Sequence, residues 1–287
     1  MRIIDVIERG IEFLSAKSIE SPRLNVELML CETLKLSRLE LYLAFEKPLT
    51  EREIDALRDM LKRRAKRVPL QYILGRTHFY GVDLKLTPAA LIPRPETEEL
   101  AELAAKSIQE MGGSVMALDI GAGTGCIALS LAKKFPESSF EAVDLSPQAV
   151  ELALENARSL GLGNYTATVA DALSADFVDS SRRNKYDIII SNPPYIPVKD
   201  FEETEPEVKK YEPRQALTDE GDGLKFYRRF AVIFPELLKE NGRFFVENGL
   251  GQSGQIIDLF INAGMEAVAK LDFARKDRFV VGSYPGH

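Results

Sequence analysis

The sequence has few of the residues that build metal centres and disulfide frameworks. Its 287 residues include only two cysteines, Cys31 and Cys126, and two histidines, His78 and His287. Cysteines this far apart predict buried free thiols in a reducing cytosol. With so few candidate ligands, the sequence predicts no metal site.

Long apolar segments are missing as well. No apolar run reaches the roughly 18 residues that a membrane-spanning helix requires. The first residues, MRIIDVIERG, carry charges among their apolar positions and therefore do not form a signal peptide. We expect a cytoplasmic protein that does not bind membranes and acts as a monomer. Its length predicts about two domains.

Charge is distributed unevenly along the chain. Residues 1–70 contain 14 Lys and Arg and 12 Asp and Glu, whereas the remaining residues contain 23 basic and 32 acidic ones. An acidic second part argues against a large nucleic-acid footprint, so we expect no direct nucleic-acid binding. A small or protein-borne substrate is compatible with this balance.

Residues 1–70 are predicted to form a small bundle of helices. Isoleucines recur at helical spacing near the start of the chain, and Ser21-Pro22 is typical of the first turn of a second helix. Thr50 and Glu53 have the spacing of a capping box for a helix over residues 54–66. Short helices with tight connections favour a bundle, and no catalytic constellation appears in it.

The last of these helices carries a basic cluster. The cluster consists of Lys62, Arg63, Arg64, Lys66 and Arg67. Such a run is most often a solvated face, which is the favoured interpretation. The alternative is a docking surface for an acidic macromolecule or its phosphates.

Residues 115–134 predict a strand, a glycine-rich loop and a helix, which is the nucleotide-binding arrangement. The third glycine of the dinucleotide fingerprint is replaced by Cys126, which disfavours NAD and suits S-adenosylmethionine, a ligand without a pyrophosphate. Asp119, just before the loop, could orient it or meet the methionine ammonium. The candidate cofactor residues of the loop are Gly121, Ala122, Gly123, Thr124 and Gly125.

The next two predicted strands each end in an aspartate. Asp144 follows the glycines by about 20 residues, where an acid accepts ribose hydroxyls, although it could instead cap the helix that begins at Ser146-Pro147. Asp171 could accept the adenine amino group while the backbone N–H of Ala172 meets a ring nitrogen. Three successive strand ends of this kind predict a cofactor site.

The stretch KYDIIISNPPYIP, residues 185–197, predicts the acceptor site. Its isoleucines form a β-branched run, typical of a central strand covered on both faces. Pro193 and Pro194 cannot continue the sheet, so the chain must leave it here. Asn192 Oδ1 and the Pro193 carbonyl could each accept one proton of a planar –NH2 group, with the Tyr195 ring packed on its face. The competing interpretation is a proline-rich turn.

The remainder of the chain completes the sheet. Residues 196–223 are predicted to form a long structureless loop, which is usually a lid or a binding loop. Helices over 224–239 and 252–263 and strands over 243–246, 267–273 and 278–282 follow, and the last strand is expected at the antiparallel edge. Glu247 could orient the Asn192 loop or be structural, and is left outside the site.

Three motifs together carry a family resemblance. The Asn-Pro-Pro-Tyr signature alone is shared by several amino-group methyltransferases. Joined to LIPRPETE (residues 91–98) and YEPRQAL (residues 211–217), it resembles the HemK/PrmC family of glutamine-N5 methyltransferases, over nearly the whole chain. In relatives, Gly or His often stands where this chain has Asn248. The resemblance implies an α/β fold, a Rossmann-like class I S-adenosylmethionine-dependent methyltransferase. Its mostly parallel sheet has an antiparallel edge strand and is preceded by a helical bundle.

The resemblance also implies domains and a function. Residues 1–70 would recognise the substrate, residues 71–92 would form a hairpin linker, and residues 93–287 would be catalytic. The reaction would methylate the glutamine of the Gly-Gly-Gln motif in peptide chain release factors, with S-adenosylhomocysteine as product. Two rivals remain open: a DNA-adenine or rRNA-guanine N-methyltransferase with the same site, and a protein that binds the cofactor without turnover. The acceptor residues would be Asn192, Pro193, Pro194 and Tyr195, and Asn192 would also contact the cofactor.

Overall fold

The computed structural model describes residues 1–112 and 114–286. Gly113 and His287, the latter counted above as a potential metal ligand, lie outside the described residues. The chain divides into two compact units: a helical unit of Met1–Arg76 with Glu205–Tyr211, and a sheet-containing unit made of the rest of the described chain. No described helix is both long and apolar enough to cross a membrane.

The helical unit is built from five helices near the N-terminus and from residues 205–211, which we call the returning segment. Thr50 caps the fourth helix as predicted: Glu53 N donates to its Oγ1 at 3.3 Å, and Thr50 N donates to Glu53 Oε2 at 2.7 Å. Its core consists of aliphatic residues from all parts of the unit, including Ile3, Ile7 and Leu30 at 1% exposure or less. The helices are α1 (Ile3–Ser15), α2 (Pro22–Leu34), α3 (Arg38–Leu43), α4 (Glu51–Ala65) and α5 (Leu70–Leu74).

Some side chains of the basic cluster form contacts inside this unit and do not face solvent freely. Arg64 is 9% exposed, and its Nε donates to Asn25 Oδ1 at 2.8 Å. Arg64 and Arg67 both pair with Glu207 of the returning segment, at 3.3 and 3.1 Å. The expectation of a solvated face is therefore wrong for Arg64, while Lys62 and Lys66 are exposed.

The remaining elements follow in chain order. A two-stranded hairpin comes first, turning at Tyr80 and Gly81, both with positive φ. The elements are β1 (Arg76–Phe79), β2 (Val82–Lys85), α6 (Pro95–Glu110), β3 (Met116–Ile120), α7 (Cys126–Lys134), β4 (Ser139–Asp144), α8 (Pro147–Leu160), β5 (Tyr165–Val169), β6 (Tyr186–Ser191), α9 (Val198–Phe201), α10 (Pro206–Tyr211, part of the helical unit), α11 (Lys225–Leu237), β7 (Leu238–Glu247), α12 (Ser253–Asn262), β8 (Glu266–Leu271) and β9 (Asp277–Ser283).

Seven strands form the central sheet, in the order β5-β4-β3-β6-β7-β9-β8. The first five strands in this order, from β5 through β4, β3 and β6 to β7, are parallel to one another. Strand β9 runs antiparallel to both β7 and β8. The predicted fold class is confirmed. The expected position of the last strand is wrong, because β9 lies inside the sheet and β8 forms the edge. Phe279 and Val280 of β9 are fully buried, whereas β8 is mostly exposed, as suits an outer strand.

The core of the sheet-containing unit lies on both faces of this sheet. Ile188 and Ile190 of β6 pack into one cluster with residues of α6, α7 and α8, while Ile189 packs into the other with residues of α11 and α12. All three isoleucines are at most 1% exposed. An unbroken apolar run is the pattern of a strand covered on both faces, so the prediction for β6 is confirmed.

Candidate active site

The carboxyl ends of β3, β4, β5 and β6 border a cavity of about 370 Å³, within the usual range for a small-molecule site. Most of the residues predicted for the site lie in its wall. Gly125 and Tyr195 are not among the lining residues. The predicted residues that do line it are Gly121, Ala122, Gly123, Thr124, Asp144, Asp171, Ala172, Asn192, Pro193 and Pro194.

The glycine loop is held by backbone bonds and by one carboxylate. Gly121 N and Ala122 N both donate to Val143 O, at 2.8 and 2.9 Å. Gly125 precedes α7 with φ at 81°, and a Cβ there would lie 2.6 Å from a methyl group of Leu129. L residues rarely adopt this positive φ, so glycine is favoured here, and Gly125 is not among the cavity-lining residues.

Asp144 organises the backbone on its side of the cavity. Gly123 N donates to its Oδ2 and Ser146 N donates to its Oδ1, both at 2.9 Å. The cap of α8 is Ser146, whose Oγ accepts from Ala149 N at 3.2 Å. The helix-cap alternative for Asp144 is therefore wrong. Each carboxylate oxygen has a second lone pair available for a ligand hydroxyl.

Other polar groups at this end fit the chemistry of S-adenosylmethionine, which combines an ammonium group, two ribose hydroxyls and an adenine. Asp119 is 2% exposed and is not among the residues that line the cavity. Thr124, whose Oγ1 is buried, does line the cavity. Burial raises the pKa of Asp119 to about 7. Asp171, at the end of the next strand, is exposed and accepts from Leu173 N at 2.8 Å.

The acceptor end depends on the register of two neighbouring strands. β6 and β7 are parallel, and Ser191 pairs with Val246 at their ends. Asn192 and Glu247 each follow these residues, so they reach the same edge of the sheet side by side. The first turn of α6 brings Thr97, 2% exposed, to the same place.

Three hydrogen bonds join these side chains. Asn192 Nδ2 donates to Thr97 Oγ1 at 3.1 Å, and Thr97 Oγ1 donates to Glu247 Oε2 at 2.7 Å. Tyr195 OH donates to the other oxygen of Glu247 at 3.1 Å. Within the described part of the chain no protein group donates to Asn192 Oδ1, and Asn192 lines the cavity. That oxygen is therefore available to a ligand, and its predicted role as an acceptor for a substrate –NH2 group stays a prediction.

Glu247 is buried among groups that fix it. It is 1% exposed, and its backbone oxygen accepts from Tyr227 OH at 2.6 Å. Burial raises the pKa of its carboxyl to about 7, against the opposing hydrogen bonds from Thr97 and Tyr195. The sequence analysis left Glu247 outside the site and gave Thr97, part of the LIPRPETE motif, no role in it. Their signal was positional, since both lie where a neighbouring element meets the end of β6.

Tyr195 is held at both its ring and its backbone. Besides the hydroxyl bond to Glu247, its carbonyl accepts from Gln252 Nε2 at 3.0 Å. Gly223 passes so close that a Cβ there would lie 2.3 Å from the same carbonyl oxygen. The expectation that the Tyr195 ring packs on the acceptor group stays a prediction, since the ring is not in the cavity wall.

Residues 196–223 are not structureless, and that expectation is wrong. They contain α9, α10 and a short 3₁₀ helix, and Ile196 N donates to Leu217 O at 2.9 Å. Glu212 is buried and pairs with Arg94 at 2.6 Å, which ties YEPRQAL to LIPRPETE. Pro213, Gln215 and Ala216 line the cavity. Within this segment, these three residues therefore contribute to the cavity wall, while α10 belongs to the helical unit.

The two cysteines differ in their surroundings. Cys31 is buried in the helical unit, as expected. Cys126 is only half-buried and lines the cavity, so the prediction of a buried thiol is wrong for it. Both are free thiols. In the described residues no group of three or more His, Cys, Asp or Glu side chains could hold a metal ion.

The fold and the cavity define a Rossmann-like class I methyltransferase. Two family models match the sequence: the PrmC N-terminal domain over residues 5–75 and a methyltransferase domain over residues 113–262. The structure is similar to a methyltransferase from Pyrococcus furiosus, with a TM-score of 0.52 at 16% identity, covering 72% of this chain and 90% of that one. At this identity the likeness shows the fold alone.

The chain belongs to the family of release factor glutamine methyltransferases. It is 41% identical over 252 residues to the release factor glutamine methyltransferase of Geobacter sulfurreducens, covering 88% of this chain and 86% of the relative. Against the protein of that name from Chlorobaculum tepidum it is 36% identical over 281 residues, covering 96% and 95%. The resemblance stated from the sequence motifs is confirmed.

Proposed function

We propose that this protein methylates the side-chain amide nitrogen of a glutamine, namely the one in the Gly-Gly-Gln motif of peptide chain release factors, using S-adenosylmethionine. The observation that carries the proposal is Asn192 Oδ1, an unoccupied acceptor at the cavity wall beside a glycine loop. Its partner nitrogen is fixed by Thr97. Membership of the release factor glutamine methyltransferase family supports the substrate.

The chemistry needs alignment more than acid–base assistance. An amide nitrogen is a weak nucleophile because its lone pair is delocalised into the carbonyl group. When bound, the cofactor supplies an electrophilic sulfonium methyl group. Aligned reactants can lower the barrier by roughly 7–11 kcal/mol, which makes orientation the chief task of the protein.

Asn192 and Pro193 would provide that orientation. Asn192 Oδ1 and the Pro193 carbonyl each accept one proton of the glutamine –NH2 group, which fixes its plane and makes its nitrogen more electron-rich. The nitrogen–carbon bond forms as the sulfur–carbon bond breaks. The nitrogen then loses its proton, because an amide protonated on nitrogen is a strong acid. Pro194 keeps the turn rigid, and Tyr195 would pack against the substrate amide.

The other end of the cavity would hold S-adenosylmethionine and release S-adenosylhomocysteine. Asp144 would accept the ribose hydroxyls, while Asp171 and the N–H of Ala172 would meet the adenine. Asn192 would contact both the cofactor and the substrate. The loop residues of this proposed site are Gly121, Ala122, Gly123, Thr124 and Gly125.

We further propose that residues 1–70 recognise the release factor, residues 71–92 act as a hairpin linker and residues 93–287 catalyse the reaction. A single glutamine side chain offers too little surface to select one protein, because a standard interface buries roughly 800 Å² per partner. Selectivity must therefore come from remote contacts. Release factors act in the cytoplasm, which would be the site of action of this protein, working as a monomer.

Mass spectrometry tests the function directly. The protein is incubated with S-adenosylmethionine and a purified bacterial release factor, and the peptide bearing Gly-Gly-Gln is analysed. We expect a mass gain of one methyl group on the glutamine, and none when that glutamine is replaced by glutamate. Methylation of DNA or RNA in parallel reactions, with the release factor unchanged, would contradict the proposal.

Substrate recognition has a separate test. The value of kcat/KM should be far higher for the intact release factor than for a short peptide containing Gly-Gly-Gln. Hydrogen exchange should slow within residues 1–70 when the release factor binds. Equal kcat/KM for both substrates, or protection elsewhere only, would contradict the role given to residues 1–70.

A further inference from the structure

The chain of hydrogen bonds behind Asn192 has a defined direction. It runs from Asn192 Nδ2 to Thr97 Oγ1 at 3.1 Å and from Thr97 Oγ1 to Glu247 Oε2 at 2.7 Å. The second oxygen of Glu247 is occupied by Tyr195 OH. We propose that Thr97 and Glu247 are positioning residues that force the Asn192 amide to present its oxygen, and not its nitrogen, to the substrate. This inference rests on the proposed function and adds to it the groups that set the geometry of the acceptor site.

The direction follows from the hydrogen-bonding capacity of each group. An ionised carboxylate only accepts, so the Thr97 hydroxyl must give its single proton to Glu247. The Thr97 oxygen then has only lone pairs to offer Asn192. An amide nitrogen can meet those lone pairs, whereas an amide oxygen would be repelled. The Asn192 oxygen is therefore left facing the cavity.

The alternative orientation would block the reaction. An Asn192 side chain rotated by half a turn would point its –NH2 group at the –NH2 group of the substrate, placing two donors against each other. The two ends of an asparagine amide have nearly the same shape, so packing alone would not choose between them. A series of hydrogen bonds that ends on the Glu247 carboxylate favours one of the two amide orientations.

Burial supports a functional reason for the carboxylate. Thr97 is 2% exposed and Glu247 is 1% exposed. Burying a carboxylate without a directly bonded cation is unfavourable, and apolar residues of similar size are often more stable in such places. Glu247 is buried despite this cost, and its two carboxylate oxygens accept from Thr97 and Tyr195, at the acceptor turn.

The orientation should depend on the ionisation of Glu247. When the carboxyl is protonated it can donate, so the Thr97 hydroxyl is no longer forced to point toward it, and the constraint on Asn192 is released. Arg278 on β9 favours the carboxylate, while burial and Glu96 on α6 oppose it. The other groups that face this carboxyl are Thr97, Tyr195, Tyr227 and Cys126.

Kinetics of matched variants test the proposal. Thr97→Val keeps the shape but loses the hydroxyl, and Glu247→Gln keeps the shape but loses the charge. We expect kcat for release factor methylation to fall about 10–100-fold in each, since misplacing a reacting group costs up to that much. The Kd for S-adenosylmethionine should stay unchanged, and Thr97→Ser should restore kcat to within about threefold of the wild type.

Two controls separate positioning from general damage. Ser107→Ala removes a buried hydroxyl from the same helix, where it accepts from Arg243 Nη1 at 3.0 Å. Glu141→Gln alters a carboxylate that accepts from Tyr186 OH at 2.6 Å, away from the cavity. Both should leave kcat unchanged. The wild-type rate should fall as the pH drops below about 7, and Glu247→Gln should flatten that profile.

A measurement without turnover distinguishes this inference from the proposed function. The side-chain –NH2 resonances of Asn192, identified by their loss in Asn192→Asp, should exchange slowly with water in the wild type and much faster in Thr97→Val. A wild-type protein that methylates no release factor but shows this difference would overturn the proposed function alone. Unchanged exchange in Thr97→Val, or an undiminished kcat, would overturn the positioning role.

Discussion

The two ends of the cavity are built from different parts of the polypeptide. At the cofactor end, the backbone of the glycine loop forms the surface, and Asp144 stabilises it by accepting from Gly123 N and Ser146 N. At the acceptor end, the surface is a side chain, Asn192, backed by Thr97 and Glu247. A surface formed by the backbone keeps its shape when many of the surrounding side chains are replaced. A series of directed hydrogen bonds between side chains is lost when one of those side chains is replaced. We therefore expect the two ends to respond differently to substitution.

The largest effect should come from Asn192→Ala. The substitution removes one of the two proposed acceptors of the substrate –NH2 group, and losing one such group in a desolvated site commonly lowers the rate by about 10²–10³. Cofactor affinity should fall far less than the rate, because Asn192 would be only one of several residues that contact the cofactor. Single-turnover kinetics and calorimetric titration with S-adenosylmethionine measure the two effects. Near-normal turnover would remove Asn192 from the acceptor site.

The reverse pattern should follow from Asp144→Ala. Hydrogen bonds to charged groups contribute about 1.5–3 kcal/mol, so losing those to the ribose should raise the apparent KM for S-adenosylmethionine at least about tenfold. The rate at saturating cofactor should change less. Initial rates across a range of cofactor concentrations give both values. An unchanged KM would mean that Asp144 only supports the glycine loop and the turn before α8.

A third experiment compares the buried carboxyls of the two ends through stability. The pKa of Glu247 is raised from 4.5 to about 7, so the folded state binds this proton more tightly than the unfolded chain. The resulting stabilisation is fully present below about pH 4.5 and is lost as the pH rises through about 7. Glu247→Gln should therefore lose less stability between pH 5 and 8 than the wild type, by roughly 2–3 kcal/mol.

Asp119, at the cofactor end, keeps its own raised pKa of about 7 in that variant. The variant should accordingly retain part of the wild-type pH dependence. Urea unfolding at a series of pH values measures it, with Glu141→Gln as the control that keeps both carboxyls. Identical pH slopes for Glu247→Gln and the wild type would show that Glu247 titrates normally.

The smallest effect should come from a change remote from both ends. Lys62 and Lys66 are the exposed members of the basic cluster. If they steer an acidic partner, their replacement by glutamate should slow association roughly twofold to tenfold, with the difference vanishing at high salt. The matched control is Lys17→Glu with Lys47→Glu, which changes the same charge at exposed positions outside the cluster. Equal rates for both pairs would make the cluster an ordinary solvated surface.

The sequence predicted the cavity lining near the glycine loop better than the surroundings of Asn192, and the reason is local chemistry. Gly121 to Gly125, Asp144 and Asp171 each follow a strand in the same stretch of chain, and parallel strands bring such ends together. The acceptor turn was found because two prolines must end a strand. Thr97 and Glu247 were not placed in the site, because their role depends on three elements that meet only in the folded chain.

Other expectations failed for the same reason. The solvated face predicted for Arg64 depended on the sequence near α4, while its partner Glu207 comes from a segment 143 residues further on. Residues 196–223 looked structureless because their ordering contacts, such as Glu212 with Arg94, are made with distant residues. The edge position of β8, outside β9, is visible in the exposure of both faces of the strand. The alternation of apolar and polar residues along one strand does not reveal that exposure.

The returning segment has a consequence for the birth of the protein on the ribosome. The helical unit begins at the N-terminus but includes residues 205–211, whose Glu207 pairs with Arg64 and Arg67. At about 5–20 residues per second, those residues leave the peptidyl transferase centre many seconds after α4. The first unit to be synthesised must therefore wait, with Arg64 lacking its carboxylate partner, until most of the second has emerged. The helical unit can therefore be completed only after much of the other unit has been synthesised. A nascent chain arrested before residue 205 would carry an incomplete N-terminal bundle.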